Sequence, residues 1–240
     1  MNLFLFIVQD KKYNFTNKEG NSQMNKFKYI FFDLDGTLID TIPLILESFD
    51  YTFIHHFGET RPREETLRYV GMPLLNHLRD IYPGKEQELA KTYREYNERK
   101  HDNCIAIFIG IYDLVKNLYE NGIILGVVTS KRRELAIRGL KLFNLLDYFL
   151  FVNGSEDSSK HKPDGEPLIK AMEKAKVTDR NEVLYIGDSP LDILCAKNAG
   201  VKSAAVAWTY NPRADLEKVE PDIFLENPAD LLDYIVTYHE

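Results

Sequence analysis

Six short apolar runs recur along the chain, most of them ending in a polar residue: Tyr29 to Phe32, Ile123 to Val128, Phe149 to Val152, Val183 to Ile186, Ser203 to Ala207 and Ile223 to Leu225. Short runs without alternation predict strands buried on both faces, as in a parallel sheet. Helical patterns separate most of these runs, and between Ile123 and Leu225 the connections are short. This is the pattern of an α/β fold with a doubly wound, mostly parallel, Rossmann-like sheet.

The first connection breaks the pattern, because the stretch from Asp33 to Thr129 far exceeds the dozen or so residues that a crossover needs. Within it Ile45, Phe49, Phe53 and Phe57 recur every four residues, and Leu89, Tyr93, Tyr96 and Lys100 keep a similar face. Such spacing predicts amphipathic helices. Pro62, Pro73 and the Pro83-Gly84 turn divide the segment into several of them. The expected organisation is a helical cap over residues 41–106, inserted after the first strand of an α/β core formed by residues 24–40 and 107–240. Ahead of the core, the run Leu3 to Val8 is too short for a membrane helix of about 20 residues. It lacks the preceding basic residue and the small-residue cleavage site of a signal peptide. The polar stretch Gln9 to Gln23 then leads to Met24, so residues 1–23 read as a loosely attached extension or an overlong start, with an added edge strand as the alternative.

Composition changes the picture modestly. A hydrophobic share of 44% and a charged share of 28% are those of an ordinary globular chain. Thirty basic against 37 acidic residues give a formal charge of -7, and without a basic block this disfavours nucleic acid as a partner. Cys104 and Cys195 stand far apart among apolar neighbours, which suits a reducing cytoplasm and neither a disulfide framework nor zinc.

The candidate chemistry begins at Phe31-Phe32-Asp33-Leu34-Asp35-Gly36-Thr37-Leu38, where an apolar strand runs into two carboxylates one residue apart and then a glycine. Alone this would be a strand followed by an Asp-Gly turn. Three further polar sites shift the reading: Thr129 ends the second run, Lys162-Pro163 follows the third, and Gly187-Asp188-Ser189 follows the fourth. In an open α/β sheet the carboxyl ends of the strands converge on one ligand-binding crevice. Gathered there, Asp33, Asp35 and Asp188 would raise one another's pKa unless a cation neutralised them. An oxygen-only set suits Mg²⁺, and the lack of His or Cys among the candidates disfavours zinc. A cation on a phosphoryl oxygen, with Lys162 against developing charge and Thr129 donating a hydrogen bond, gives the positioning that phosphoryl transfer requires. One carboxylate is then left to attack phosphorus.

In order and spacing, Asp33-Leu34-Asp35-Gly36-Thr37, Val128-Thr129, Lys162-Pro163 and Gly187-Asp188-Ser189-Pro190-Leu191-Asp192 resemble the four signature motifs of the haloacid dehalogenase (HAD) superfamily. The resemblance runs from about residue 28 to the end. It implies an HAD core with a cap, Asp33 as nucleophile, and Asp35 as general acid and then base. It further implies Mg²⁺ held by Asp33, the backbone carbonyl of Asp35 and Asp188, a phosphoryl group bound by Thr129 and Lys162, and Asp192 as acidic support. An acid two residues beyond the nucleophile favours phosphate esters over dehalogenation or phosphonate cleavage, because it can protonate a departing oxygen. Val70-Gly71-Met72-Pro73, the helix from Gly110 to Leu118 and Ala207-Trp208-Thr209 are similar to the phosphoglycolate phosphatase branch and its bacterial inorganic pyrophosphatase relatives. The implied protein is a cytoplasmic phosphatase, monomeric or homodimeric, that acts on a small phosphate ester or pyrophosphate through an aspartyl-phosphate. A sugar-phosphate mutase similar to beta-phosphoglucomutase, and a catalytically silent binding protein on the same scaffold, are the rival readings.

Two departures from the family pattern carry expectations. Gly165 replaces a second proline and should loosen the loop after Lys162, and Ile109 replaces a Pro-Gly turn where the cap rejoins the core, so the hinge there is expected to move differently. Several residues have plainer readings. Ser189, Pro190 and Asp192 have the spacing of a helix N-cap with a capping box, and Ser130 is expected to cap a helix beginning near Lys131. His55, His56 and His101 are expected in packing or on the surface. Arg79, Arg94 and Lys100 either face a second anionic group on the substrate or form the solvated side of their helices.

Overall fold

A computed structural model of the chain describes residues 15–16, 22–23 and 27–237. Of the expected N-terminal extension it describes only β1 (Phe15–Thr16) and β2 (Ser22–Gln23), which pair antiparallel as a sheet of their own. The rest of that expectation lies outside the described residues.

All six apolar runs form strands. β3 (Tyr29–Phe32) is the first of them. A short β4 (Ile39–Asp40) then leads into four helices, α1 (Ile42–Phe57), α2 (Arg63–Leu67), α3 (Leu74–Ile81) and α4 (Glu86–Cys104). The chain returns through β5 (Ala106–Ile107), antiparallel to β4, and α5 (Ile111–Glu120). Strands and helices then alternate: β6 (Ile124–Val128), α6 (Arg133–Leu142), β7 (Phe149–Asn153), α7 (Glu166–Ala175), β8 (Val183–Gly187), α8 (Pro190–Ala199), β9 (Lys202–Val206), α9 (Arg213–Lys218), β10 (Ile223–Leu225) and α10 (Ala229–Thr237).

The six-stranded sheet runs β10-β9-β8-β3-β6-β7 and every pairing in it is parallel. Alternation along β3 shows why its residues are apolar throughout. Ile30 and Phe32 enter one core cluster with Leu114, Val115 and Leu118 of α5 and Leu140 of α6, whereas Tyr29 and Phe31 enter the other with Leu168 and Met172 of α7 and Cys195 of α8. Both faces are covered by helices, so a polar residue inside β3 would be buried without a partner. Register matters here too: Phe32 is level with Val127 of β6 and Ile186 of β8. Asp33, Thr129 and Asp188 therefore emerge within a residue of the same height.

The inserted helices have their own core. Ile42, Ile45, Leu46, Phe49 and Phe53 of α1 pack with Leu78 of α3 and with Leu89 and Ala90 of α4. The insert reaches the core along the α4–α6 contact, where Arg138 meets Asp102 at 2.9 Å and Arg132 pairs with Glu98. Ile109 at the return is 96% exposed, and Gly110 next to it caps α5. Among the described residues, no helix is long and apolar enough to cross a membrane.

Phe31 is fully buried and meets Phe151 edge to face, with centroids 5.3 Å apart. Replacing it with Ala should cost about 3–5 kcal/mol, read as a lower midpoint in denaturant unfolding with an unchanged slope.

Candidate active site

The β3 ladder continues one bond further than the strand itself, because the Asp33 N–H donates to the Ile186 carbonyl at 2.8 Å. This fixes the base of the Asp33 side chain at the sheet's carboxyl edge. The turn that follows folds back on itself: the N–H groups of Leu38 and Ile39 both donate to the Leu34 carbonyl at 3.0 Å, and that of Gly36 donates to Ile39 at 2.9 Å. Gly36 has a left-handed φ of 81°, and a Cβ there would lie 2.4 Å from Oδ2 of Asp188. Only glycine meets both demands without displacing a carboxylate.

Lys162 arrives from the loop after β7. The loop is pinned to α8, with Nδ2 of Asn198 donating to the Pro163 carbonyl at 2.8 Å and the Cys195 thiol donating to the Asp164 carbonyl at 3.0 Å. Gly165 is packed closely as well, since a Cβ on it would stand 2.7 Å from the Asn198 carbonyl carbon. The expected loosening of this loop is thus corrected: the missing side chain is what lets the loop lie against the end of α8. Held in this way, the Lys162 Nζ donates to Asp33 at 2.8 Å and to Asp192 at 2.6 Å.

Asp192 bonds both Ser189 and Lys162. One oxygen accepts from the Ser189 hydroxyl at 2.6 Å and the Ser189 N–H at 3.1 Å, which completes the capping box of α8, while the other accepts from Lys162. Asp188 accepts from the Thr209 hydroxyl at 2.9 Å and from Asn211 at 3.3 Å. Thr129 is buried at the tip of β6, its N–H donating to the Asn153 carbonyl at 2.9 Å.

The Asp35 carboxylate stands apart from this cluster. Its Oδ1 accepts from Thr41 at 2.6 Å and from Lys131 at 2.7 Å. Sequence reasoning passed over Lys131, treating it as the start of a helix. That helix begins later, at Arg133, and Ser130 does not cap it: the Arg133 N–H donates to the Glu156 carboxylate at 3.1 Å instead. Ser130 lines the cavity. The signal for Lys131 was its position two residues beyond Thr129 in the same turn, which aims it at the site.

Burial sets the electrostatics. Desolvation is the largest influence on Asp33 and raises its pKa from 3.8 to about 7, with Asp192 and Asp35 adding to the rise and Lys162 opposing it. Asp188 is raised well above the carboxylate range, first by burial and then by Asp192 and Asp33. Lys162 moves up despite its own burial, because Asp192 and Asp33 hold its proton. Asp33, Asp188 and Asp192 each bring an oxygen to within 4.8 Å of the others, and Lys162 is the ammonium bonded among them. Three carboxylates against one ammonium leave a deficit of two positive charges, the charge of a divalent cation. The oxygen-only donor set fits a hard ion such as Mg²⁺.

Asp33, Asp35 and Thr129 open onto a cavity of about 300 Å³ whose far wall comes from α3, α4 and the turn before α3. Arg79 and Arg94 line it; Lys100 instead lies over the Tyr96 ring. His101 is buried and bonded to Asp102 at 2.8 Å, His56 bonds Thr92 at 2.8 Å, and His55 is exposed, so all three fall in packing or on the surface.

Comparison with known proteins agrees with this architecture. The family model for haloacid dehalogenase-like hydrolases matches residues 30–206. A protein of Caldanaerobacter subterraneus named "Putative pyrophosphatase PpaX" is 47% identical over 210 residues, 88% of this chain and 95% of the relative. Pyrophosphatase PpaX of Anoxybacillus flavithermus is 41% identical over 203 residues, 85% of this chain and 94% of that one. Among solved structures, a haloacid dehalogenase-like hydrolase from Streptococcus pneumoniae superposes with a TM-score of 0.76 at 28% identity, covering 87% of this chain and 98% of that one.

Because Asp33 has a higher pKa folded than its 3.8 unfolded, the folded state binds this proton more tightly, and metal-free stability falls as pH rises through the window from about 4 to about 7. Asp188 acts in the same direction. In chelator at about pH 8, Asp188→Asn should therefore melt above the wild type, at about 2–4 °C for each kcal/mol of relieved repulsion. Added Mg²⁺ should raise the wild-type midpoint and leave the variant's nearly unchanged, as thermal denaturation would show.

Proposed function

The chain belongs to the haloacid dehalogenase-like hydrolases, and from that premise we propose that it is a Mg²⁺-dependent phosphohydrolase working through an aspartyl-phosphate on Asp33. The observation that carries this reading is the Asp33 carboxylate itself, buried at the tip of the central strand, 2.8 Å from Lys162 and open to the cavity it shares with Asp35. Asp33, the backbone carbonyl of Asp35 and Asp188 would hold the ion, which supplies charge neutralisation for the carboxylates and the phosphoryl oxygens.

In the first half-reaction an Asp33 oxygen attacks phosphorus and the bond to the leaving oxygen breaks, with the proton for that oxygen coming from Asp35. Lys162 offsets charge on the transferring group, and the Thr129 hydroxyl donates to it. In the second half-reaction Asp35 takes a proton from water, the water oxygen bonds phosphorus, and the Asp33–phosphorus bond breaks to release phosphate. Thr41 and Lys131 both occupy Oδ1 of Asp35, which leaves Oδ2 for proton traffic. Asp192 keeps Lys162 in place through the α8 cap. Residues 41–106 act as the cap that excludes water until the leaving group is seated.

Pyrophosphate is the favoured substrate within this reading. Two relatives that this chain matches over most of their length are named pyrophosphatases. The cavity also gathers Arg79, Arg94, Lys131 and Arg132, which suits a substrate with negative charge on both sides of the scissile bond.

With Mg²⁺ and pyrophosphate, phosphate release should need no bisphosphate activator; a strict activator requirement without net release would point to a mutase. Asp33→Asn should abolish turnover with the fold intact by circular dichroism. Asp35→Asn should lower kcat by about 10²–10⁴-fold, the usual contribution of a positioned acid and base.

A further inference from the structure

One wall of the cavity carries a polar group that this chemistry leaves unused. His77, on α3, is 1% exposed and lines the cavity. Tyr69 stacks on its ring at 4.3 Å between centroids, and Phe49 packs against it at 4.4 Å. Phenylalanine would meet those packing demands equally well. The nitrogen is another matter, because Nε2 is buried and has no hydrogen-bond partner among the described residues. Buried polar groups in folded proteins nearly always have partners, and an orphan on a residue that lines a ligand cavity implies a partner that arrives with the ligand.

The surrounding charges indicate what that partner is. Burial, helped by the charge of Arg61, pulls the His77 pKa down to about 3, so the ring is neutral and offers one N–H donor. Four cationic side chains line the same cavity. Lys131 is bonded to Asp35, Arg132 to Glu98 and Arg79 to Glu86, whereas Arg94 has no ion pair among the described residues. Arg94 is half-buried on α4, and its proton is held less tightly than usual because of burial and the nearby Arg132. A neutral donor and a guanidinium without an ion pair among the described residues, lining one cavity, match an anionic oxygen group and give little to an apolar one.

We propose that His77 is a specificity-determining residue, its ring nitrogen donating to an anionic oxygen on the leaving-group side of the substrate while Arg94 balances that group's charge. This rests on the phosphohydrolase reading above and adds the class of leaving group: a second phosphate, as in pyrophosphate, or a carboxylate, as in phosphoglycolate. The role differs from that of Asp35, which handles the proton on the bridging oxygen.

The test compares wild type, His77→Phe and Arg94→Gln with Mg²⁺ on three substrates: pyrophosphate, phosphoglycolate and phenyl phosphate, whose leaving group has no anionic oxygen beyond the bridge. In His77→Phe, kcat/KM should fall about 10- to 100-fold on whichever anionic substrate the wild type prefers, mainly through KM, as expected for a lost hydrogen bond to a charged group. Phenyl phosphate should change less than about twofold, and the variant should melt no lower than wild type because an orphaned polar atom has been removed. Arg94→Gln should show the same selectivity, and it carries the test if His77→Phe folds poorly. An equal loss on all three substrates, or none on the anionic ones, would overturn the proposal. Should the wild type turn over none of them, the hydrolase reading fails by itself. Calorimetric binding of imidodiphosphate then decides the case for His77: weaker binding in His77→Phe supports it, and unchanged binding defeats it.

Discussion

The Lys162 ammonium lies inside the protein, 2.8 Å from Asp33 and 2.6 Å from Asp192, with all three side chains almost fully removed from solvent. Taking such charges out of water costs several kcal/mol per ion, and the cost is recovered only while each keeps its partners. Breaking a buried pair by deleting one member costs about 3–5 kcal/mol. The three groups come from the end of β3, the loop after β7 and the first turn of α8, segments far apart in sequence. Their mutual bonds therefore tie the strand order of the sheet to the geometry of the site. The Tyr185 hydroxyl strengthens the tie, lying 2.8 Å from the Val128 carbonyl and 3.1 Å from Asp192.

The same cage leaves the site short of positive charge. Asp188 lies close against the turn at Gly36 and is held by Thr209 and Asn211, neutral donors that orient a carboxylate without cancelling its charge. A fold selected for stability alone would put an amide there. Retaining the acid, beside a backbone approach that only glycine permits at position 36, keeps local repulsion that a divalent cation bound as proposed would relieve. Stability and activity are set against each other at this point of the sheet.

Much of this was legible in the sequence because parallel strands buried on both faces write themselves as uninterrupted apolar runs. All six runs became strands of the main sheet, with ends shifted by at most a residue, and Asp33, Thr129, Lys162, Asp188 and Asp192 emerge together at its carboxyl edge. Asp192 could be read both as a cap and as an acidic support, and its carboxylate bonds both the Ser189 hydroxyl and Lys162. What stayed hidden depends on three-dimensional approach. Ser130 looked like a helix cap because a helix follows it, yet the first free N–H of that helix is taken by Glu156 from the neighbouring loop. Lys131 pairs with Asp35 across 96 positions, and its place two residues beyond Thr129 was the one sequence signal for it. His77 sits in a helix of ordinary composition, and what sets it apart is that its Nε2 has no partner among the described residues.

The contrast between the two ways in which the insert is held bears on how the site would admit and expel water. Inside, α1, α3 and α4 share a continuous aromatic and aliphatic core. Toward the sheet, the ion pairs Arg132–Glu98 and Arg138–Asp102 each keep both side chains more than 40% exposed. Exposed pairs of this kind contribute about 0–1 kcal/mol each, so these ion pairs add little to holding the insert on the core, whereas the insert's interior is costly to disrupt. The two-residue strands β4 and β5 carry the chain between the insert and the core, and a rigid-body movement of the insert would hinge there. A ligand that bonds the strand tips on one side and the insert wall on the other binds the closed arrangement better than the open one, and it shifts the balance by that difference in affinity. Water would thus be excluded when the leaving group is in place and readmitted once that group departs, the order that the two proton transfers proposed for Asp35 require.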